Sequence, residues 1–211
     1  LTQRSEAAKP PGKEITMTAA TQQSGADVLL RALRDQGVEV IFGYPGGAVL
    51  PIYDAIFKQN AIRHILVRHE QGAGHAAEGY ARTTGRLGVV VVTSGPGMTN
   101  TTTGLLDALC DSVPILCICG QVSSALIGTN AFQECDGIGI SRPVTKWNAR
   151  LQDADKVSAT VRKAVTAAVE GRPGPVLLEF PKDIQLAPVT ISPMALSQTA
   201  RVEARGAPLP Y

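Results

Sequence analysis

The chain has 211 residues, of which 44% are hydrophobic and 18% are charged, so it can bury the core of one large domain. Its 20 basic side chains against 18 acidic ones are too evenly balanced for a nucleic-acid-binding protein. Because no apolar run approaches the roughly 20 residues that span a bilayer, and the first residues lack the apolar core of a signal peptide, we expect a cytoplasmic protein that binds neither nucleic acid nor membrane.

The two ends of the chain lack the periodicity of secondary structure. Residues 1–21 predict a flexible tail, and residues 187–211, which are rich in Pro, Ala and Arg, predict a linker leading out of the domain. We therefore expect the folded domain over residues 22–186.

Helical and strand patterns alternate along this domain. Ser24 and Asp27 predict a capped helix that Gly37 ends. Further helices are expected around 49–56, 70–84 and 157–168, and strands over 38–42, 64–67, 89–93, 114–119 and 176–180. The continuously apolar strands are typical of a parallel sheet buried on both faces. The alternation predicts an α/β fold, with an open parallel sheet of about six strands and helices on both faces.

Two cysteines lie in one of the apolar runs. Cys117 and Cys119 alternate with Ile118 in the predicted strand 114–119. Such cysteines behave as small hydrophobic side chains. We therefore expect buried thiols of a cytosolic protein and not a disulfide framework.

Ligands of open α/β sheets bind at the carboxyl ends of the strands, so the segments after the predicted strands are candidate binding loops. Residues 43–47 and 94–100 are glycine-rich, and glycine lets a ligand approach the backbone or an anion reach a helix start. Neither contains the G-x-G-x-x-G fingerprint or the lysine of a P-loop. By spacing alone, each is equally well explained as a tight turn without a ligand.

The segment Arg68–His75 carries several chemically reactive side chains. His69 and Glu70 do not form an H-E-x-x-H motif, because Ala73 stands at the second histidine position. His69 and His75 lie about 120° apart on a helix, so no metal site is predicted, and His69 is better explained as a cap or core residue. Glu70 begins a helix directly after a strand, where it either exchanges protons with a ligand or stabilises the helix N-terminus.

Five segments together resemble the catalytic subunits of acetohydroxyacid synthases (acetolactate synthases), which are thiamine diphosphate enzymes. They are FGYPGGAVLPIYDAIF at 42–57, RHEQGAGHAAEGYAR at 68–82, TSGPGMTN at 93–100, GQVSSALIGTNAFQE at 120–134 and GRPGPVLLEFPKD at 171–183. The resemblance covers residues 22–186. It implies the pyrimidine-binding domain alone, the first of the family's three domains, so that residues 187–211 lead toward an absent middle domain and the fragment by itself is inactive.

The resemblance also implies roles for individual residues. Glu70 would be the catalytic glutamate, bonded to N1′ of the cofactor's aminopyrimidine, and Gln133 would donate a hydrogen bond to a reacting oxygen. The cofactor loops would include Tyr44, Pro45, Gly46, Pro96 and Asn100. Arg172 would lie near the flavin, and Lys182 near the flavin and the channel mouth. The substrate channel would be lined by Gly47, Ala48, Val122, Ser123, Ala131 and Phe132.

The implied reaction decarboxylates pyruvate and joins the product to a second 2-keto acid, in branched-chain amino-acid biosynthesis. Mg²⁺ and FAD are expected in the full-length parent. The active site would lie between this domain and the diphosphate-binding domain of another subunit, which implies a homo-oligomer; attachment of a regulatory subunit stays open.

Four positions depart from the usual pattern of the resembled family. Met98, Ser123, Asn130 and Trp147 stand where Ala, Pro, Asp and His are common, and Trp147 is expected in the core. Two other functions remain open: another thiamine-dependent carboligase or 2-keto acid decarboxylase, and a non-catalytic nucleotide-binding regulatory domain.

Overall fold

The computed structural model describes residues 21–191. Its strands are β1 (Thr21–Ser24), β2 (Val40–Gly43), β3 (Arg63–Leu66), β4 (Gly88–Val92), β5 (Ile115–Gln121), β6 (Trp147–Arg150), β7 (Pro175–Pro181) and β8 (Pro188–Ile191). Its α-helices are α1 (Gly25–Asp35), α2 (Leu50–Phe57), α3 (Glu70–Thr84), α4 (Pro96–Asn100), α5 (Thr102–Cys110), α6 (Gly137–Ser141), α7 (Val157–Val169) and α8 (Lys182–Leu186).

Strands β2 to β7 form one parallel sheet in the order β3-β2-β4-β5-β7-β6. The predicted open parallel sheet of about six strands is therefore confirmed. The edge strand β6 was not predicted, because its residues Trp147–Arg150 are all half-buried and show neither an apolar run nor alternation. The central strands β4, β5 and β7 are buried throughout.

Helices cover both faces of the sheet, as predicted. On one face α1 packs against α7 and α2, and on the other α3 packs against α5. Small residues let α3 and α5 approach closely: a Cβ on Gly74 would lie 3.4 Å from the Cα of Gly104. The sequence patterns did not predict α5.

The capped helix α1 is confirmed. The Asp27 backbone N–H donates to Oγ of Ser24 at 3.1 Å, and the Ser24 N–H donates to Oδ2 of Asp27 at 3.0 Å. These bonds satisfy N–H groups that a helix start leaves unpaired. Gly37, with φ of 82°, follows the helix end.

Strands β1 and β8 pair antiparallel, with Thr21 opposite Ile191. Regular structure thus continues five residues beyond the expected boundary at 186, because Val189 is buried and its strand is paired. The remaining residues of the predicted tail and linker, 1–20 and 192–211, lie outside the described part of the chain. Within residues 21–191, none of the helices has the length and apolar character that a bilayer crossing requires.

The cysteines of β5 are buried free thiols, as predicted. Burial raises the pKa of Cys117 to about 12 and moves the pKa of Cys119 well above its ordinary value. Both are therefore protonated at neutral pH. Cys110 is exposed, and Cys135 is half-buried.

Candidate functional site

The segments that follow β2, β4 and β5 meet at the carboxyl edge of the sheet. The backbone N–H of Ala48 donates to Oγ1 of Thr93 at 3.2 Å. A Cβ on Gly120 would lie 2.7 Å from the carbonyl oxygen of Ala48. The edge predicted to bind a ligand is therefore a single compact surface built from three crossovers, and α3 adds its first turn to it.

Glu70 is the first residue of α3 and is only 8% exposed. His69 is the N-cap, and its Nδ1 accepts a hydrogen bond from the Gln71 N–H at 3.1 Å, which confirms the predicted cap role. The Asn100 side chain donates to Oε2 of Glu70 at 2.9 Å. No other donor within residues 21–191 hydrogen-bonds this carboxylate, so its Oε1 is available to a ligand.

Gly46 brings the loop after β2 against Thr93. A Cβ at this position would lie 2.5 Å from Cβ of Thr93 and 2.7 Å from its Oγ1, a separation that real side chains do not tolerate. The Tyr44 N–H donates to the carbonyl oxygen of Val91 at 3.2 Å. The loop is thereby fixed on the sheet edge, and Pro45 and Gly47 are exposed on its outer side.

Gly95 joins the loop after β4 to the loop that carries Gln133. Its φ of +54° is a left-handed conformation that favours glycine. A Cβ there would lie 2.5 Å from the carbonyl oxygen of Gln133. The structure therefore brings Gln133 beside Pro96, which begins α4 and is exposed.

The residues predicted for the substrate channel follow β2 and β5. Phe132 is 85% exposed, whereas Ala131, Val122 and Ser123 are half-buried. The next residue, Ser124, donates from its N–H and its hydroxyl to Oδ1 of Asp183, at 2.9 and 3.1 Å. This contact places the start of α8, and with it half-buried Lys182, at the same edge of the sheet.

Arg172 is not brought together with Glu70. Its guanidinium donates to the carbonyl oxygens of Leu109 and Cys110, at 3.0 and 2.9 Å, and to Oγ of Ser112 at 2.8 Å. These contacts cap the C-terminal end of α5 at the amino edge of the sheet, which is opposite the candidate site. A flavin contact at Arg172 stays a prediction.

Two ring side chains behind the β2 loop were not predicted as part of the site. The Tyr53 hydroxyl lies 3.2 Å from Nε2 of His64. Burial and the charge of Glu70 raise the pKa of Tyr53, and burial lowers the pKa of His64. Both are neutral near pH 7. In the sequence, Tyr53 is recognisable only as one of the apolar positions of α2, so no local pattern connects it to Glu70.

A second buried carboxylate, Glu179, lies within β7 and is fully buried. Arg150 pairs with its Oε2, and Gln121 donates to its Oε1 at 2.8 Å. The same Gln121 amide donates to the carbonyl oxygen of Cys135 at 3.0 Å. Burial raises the pKa of Glu179 and Arg150 opposes that rise. A glutamate inside the apolar run VLLEF is the signal that could have revealed this network.

His75, Glu78 and Asp107 form a polar group between α3 and α5, with potential ligand atoms within 4.8 Å of one another. Arg82 donates to Oε1 of Glu78 at 2.7 Å and pairs with Asp111. The buried charge of Glu78 is thus neutralised by an arginine. The group is explained by ion pairing between the two helices.

Comparison with known proteins identifies one family over more than half of the chain. Residues 23–140 match the family described as thiamine pyrophosphate enzyme, N-terminal TPP binding domain. The matched range contains Glu70, Asn100 and Gln133, which the fold brings to one edge of the sheet.

Individual relatives are similar over most of the chain. The acetolactate synthase large subunit of Haemophilus influenzae is 59% identical over 160 residues, which are 76% of this chain and 28% of the relative. That of Lactococcus lactis is 53% identical over 178 residues, or 84% and 31%. The isozyme 3 large subunit of Escherichia coli is 54% identical over 161 residues, or 76% and 28%. The chain therefore spans less than a third of the length of these relatives.

Proposed function

The chain belongs to the thiamine pyrophosphate enzyme family, whose N-terminal cofactor-binding domain it contains, and we propose that it supplies the pyrimidine half of the active site of an acetolactate synthase. The observation that carries the proposal is the buried carboxyl of Glu70 at the carboxyl edge of the sheet. One of its oxygens is held by Asn100, and the other is available. The identity to acetolactate synthase large subunits supports this enzyme over other thiamine-dependent carboligases and decarboxylases.

The residues at this edge fit the pyrimidine end of thiamine diphosphate. A ring nitrogen needs a partner that can both hold and release a proton, and a carboxyl with an available oxygen is such a partner. The close contact of Gly46 with Thr93 keeps the β2 loop flat against the sheet, so that its outer side can face a ring. A non-catalytic nucleotide-binding domain is disfavoured, because the edge lacks a phosphate-binding glycine fingerprint.

When bound, thiamine diphosphate supplies the electron sink for decarboxylation of pyruvate and for carbon–carbon bond formation with a second 2-keto acid. Glu70 holds and moves a proton at N1′ of the pyrimidine. Asn100 orients the carboxyl through its bond to Oε2. Tyr44, Pro45 and Pro96 position the rings from the two neighbouring loops. The domain alone contributes only half of the site and does not turn over.

The other half of the site comes from the diphosphate-binding domain of another subunit, which makes the working enzyme a homo-oligomer. The diphosphate-binding domain, and not the domain described here, would hold Mg²⁺ together with the diphosphate. The complete enzyme would also bind FAD. Lys182 would contact it from the carboxyl edge of this domain, and Arg172 from the amino edge. Gln133 donates to a reacting oxygen, and the channel includes Phe132. Ala131, Val122, Ser123, Gly47 and Ala48 complete the channel wall.

The proposal is tested in a full-length protein carrying this domain, supplied with thiamine diphosphate, Mg²⁺, FAD and pyruvate. Formation of acetolactate supports the proposal. Release of acetaldehyde alone would favour the 2-keto acid decarboxylase instead. Failure of the protein to bind thiamine diphosphate, measured by calorimetry, would contradict both.

A further inference from the structure

The segment between β5 and α6 carries a loop, residues 128–134, in an unfavourable backbone conformation. Asn130 and Gln133 both have φ of +57°. This left-handed conformation is unfavourable for most residues with a side chain, and asparagine adopts it more readily than glutamine. Gln133 therefore needs compensating contacts, because its side chain does not favour this conformation as asparagine does.

The compensating contacts come from one carboxylate at the end of the loop. Glu134 accepts a hydrogen bond from the Gly128 N–H on Oε1 and one from the Ala131 N–H, at 3.0 Å, on Oε2. Its own N–H donates to the carbonyl oxygen of Ala131 at 3.0 Å. These backbone N–H groups lower the pKa of Glu134, so the carboxylate is ionised at neutral pH. Each oxygen therefore holds a different part of the loop.

The loop reaches the edge of the sheet that carries Glu70. Phe132 is 85% exposed, and the Gln133 carbonyl oxygen lies against Gly95. The chain after the loop is fixed independently, because Gln121 donates to the carbonyl oxygen of Cys135. Thr129 is bonded to the carbonyl oxygen of Leu126 at the start of the loop, so beyond Thr129 the carboxylate of Glu134 is the side chain that holds the backbone of the loop tip.

We propose that Glu134 is a positioning residue whose carboxylate holds the 128–134 loop so that Phe132 and Gln133 meet the second 2-keto acid. The inference rests on the proposed function, since it assigns this loop to the carbon–carbon bond-forming half of the reaction. The proton chemistry of Glu70 is separate, because Glu70 is held by Asn100 at the end of α4. Both carboxylate oxygens of Glu134 accept from backbone N–H groups, so Glu134 acts through the loop and not on the reacting groups.

Glu134→Gln is the sharpest variant, because its amide keeps one acceptor oxygen and turns an NH₂ group toward the other backbone N–H. Glu134→Ala removes both acceptors and should have the larger effect. Glu170→Gln is the matched control, since it removes one exposed glutamate charge outside the loop. All three are made in a full-length protein carrying this domain.

We expect Glu134→Gln to speed hydrogen exchange of the Gly128 and Ala131 amides. We also expect kcat/KM for the second 2-keto acid to fall about 10–100-fold, as misplacement of a positioning group does. Exchange of the cofactor C2 proton should stay as in Glu170→Gln, and the protein should remain folded, with a melting temperature only slightly below that of the control. This split separates positioning from general loss of structure.

Unchanged amide exchange would overturn the proposal, and so would faster exchange with unchanged kcat/KM for the second keto acid. A fall in C2 proton exchange equal to the fall in kcat/KM would also overturn it, because the loop would then serve the first half-reaction. If the unmodified protein forms no acetolactate, the proposed function fails, whereas amide exchange still decides whether Glu134 holds the loop.

Discussion

The side-chain amide of Asn100 donates a hydrogen bond to Oε2 of Glu70 across 2.9 Å. This contact joins the last residue of α4 to the first residue of α3. It orients the carboxyl group and leaves Oε1 for a ligand. The two residues therefore act as one unit, although they come from different crossovers of the sheet.

Substitution at Asn100 should disturb that unit in a graded way. Asn100→Ala removes the donor, and Asn100→Asp replaces it with a like charge that repels the Glu70 carboxylate. We expect the affinity for thiamine diphosphate in a full-length protein to fall in both variants, and further in Asn100→Asp. Calorimetric titration measures the affinity. Equal affinities in all three proteins would show that Asn100 does not orient Glu70.

The close approach of Gly46 to Thr93 predicts a contrast between neighbouring glycines. Gly46→Ala puts a Cβ 2.5 Å from the Thr93 side chain, whereas a Cβ on Gly47 meets nothing within 4 Å. Overpacking of this kind typically costs ~1–3 kcal/mol of unfolding free energy. Denaturant titration should show that loss for Gly46→Ala and little change for Gly47→Ala. Similar stabilities of the two variants would refute the packing of this loop.

Breaking the ion pair between half-buried Arg150 and fully buried Glu179 by removing Arg150 alone should destabilise the protein. Arg150→Met leaves the Glu179 charge without its partner, and such a change typically destabilises a protein by about 3–5 kcal/mol. Replacing both residues, as Arg150→Met with Glu179→Leu, removes the buried charge and should recover most of that loss. Urea unfolding at neutral pH measures each variant. A double variant no more stable than Arg150→Met would contradict this reasoning.

The pH dependence of stability should contain a contribution from His64. Burial lowers its pKa in the folded state, so the unfolded chain binds the proton at higher pH. The unfolding free energy that His64 contributes is therefore greatest above the ordinary histidine pKa of about 6.5. It falls as the pH drops below that value and becomes constant below the pKa of His64 in the folded state. In His64→Gln, which can still bond the Tyr53 hydroxyl, this part of the slope should disappear. An unchanged slope of unfolding free energy against pH would count against it.

Local patterns predicted the elements that position the site. Glu70 was expected to begin a helix directly after a strand, and the structure starts α3 at that residue. The glycine-rich loops 43–47 and 94–100 were expected at the carboxyl edge, because composition and the succession of strands and helices are readable along the chain. These features depend on residues that are close in the sequence, and local sequence patterns could therefore predict them.

Features that depend on distant partners could not be predicted in the same way. Arg150 meets Glu179 because β6 pairs with β7 in register, and β6 has no periodic signal of its own. Tyr53 of α2 meets His64 of β3 because β3 pairs with β2 at the edge of the sheet, which alternation of helices and strands does not specify. The left-handed conformation of Gln133 accompanies hydrogen bonds from the Gly128 and Ala131 N–H groups to Glu134, which a local turn rule does not anticipate.

The central claim is that Glu70 moves a proton at the bound cofactor, and Glu70→Gln in a full-length protein tests it most directly. Glutamine is nearly isosteric and can still accept from Asn100, but it cannot titrate. Acid–base assistance is typically worth ~10²–10⁴-fold in rate, or roughly 3–5 kcal/mol of barrier. The measurement is exchange of the cofactor C2 proton for deuterium, with the melting temperature as control. We predict that exchange slows by that factor at an unchanged melting temperature; unchanged exchange with a slightly lower melting temperature would mean that Glu70 only stabilises the start of α3.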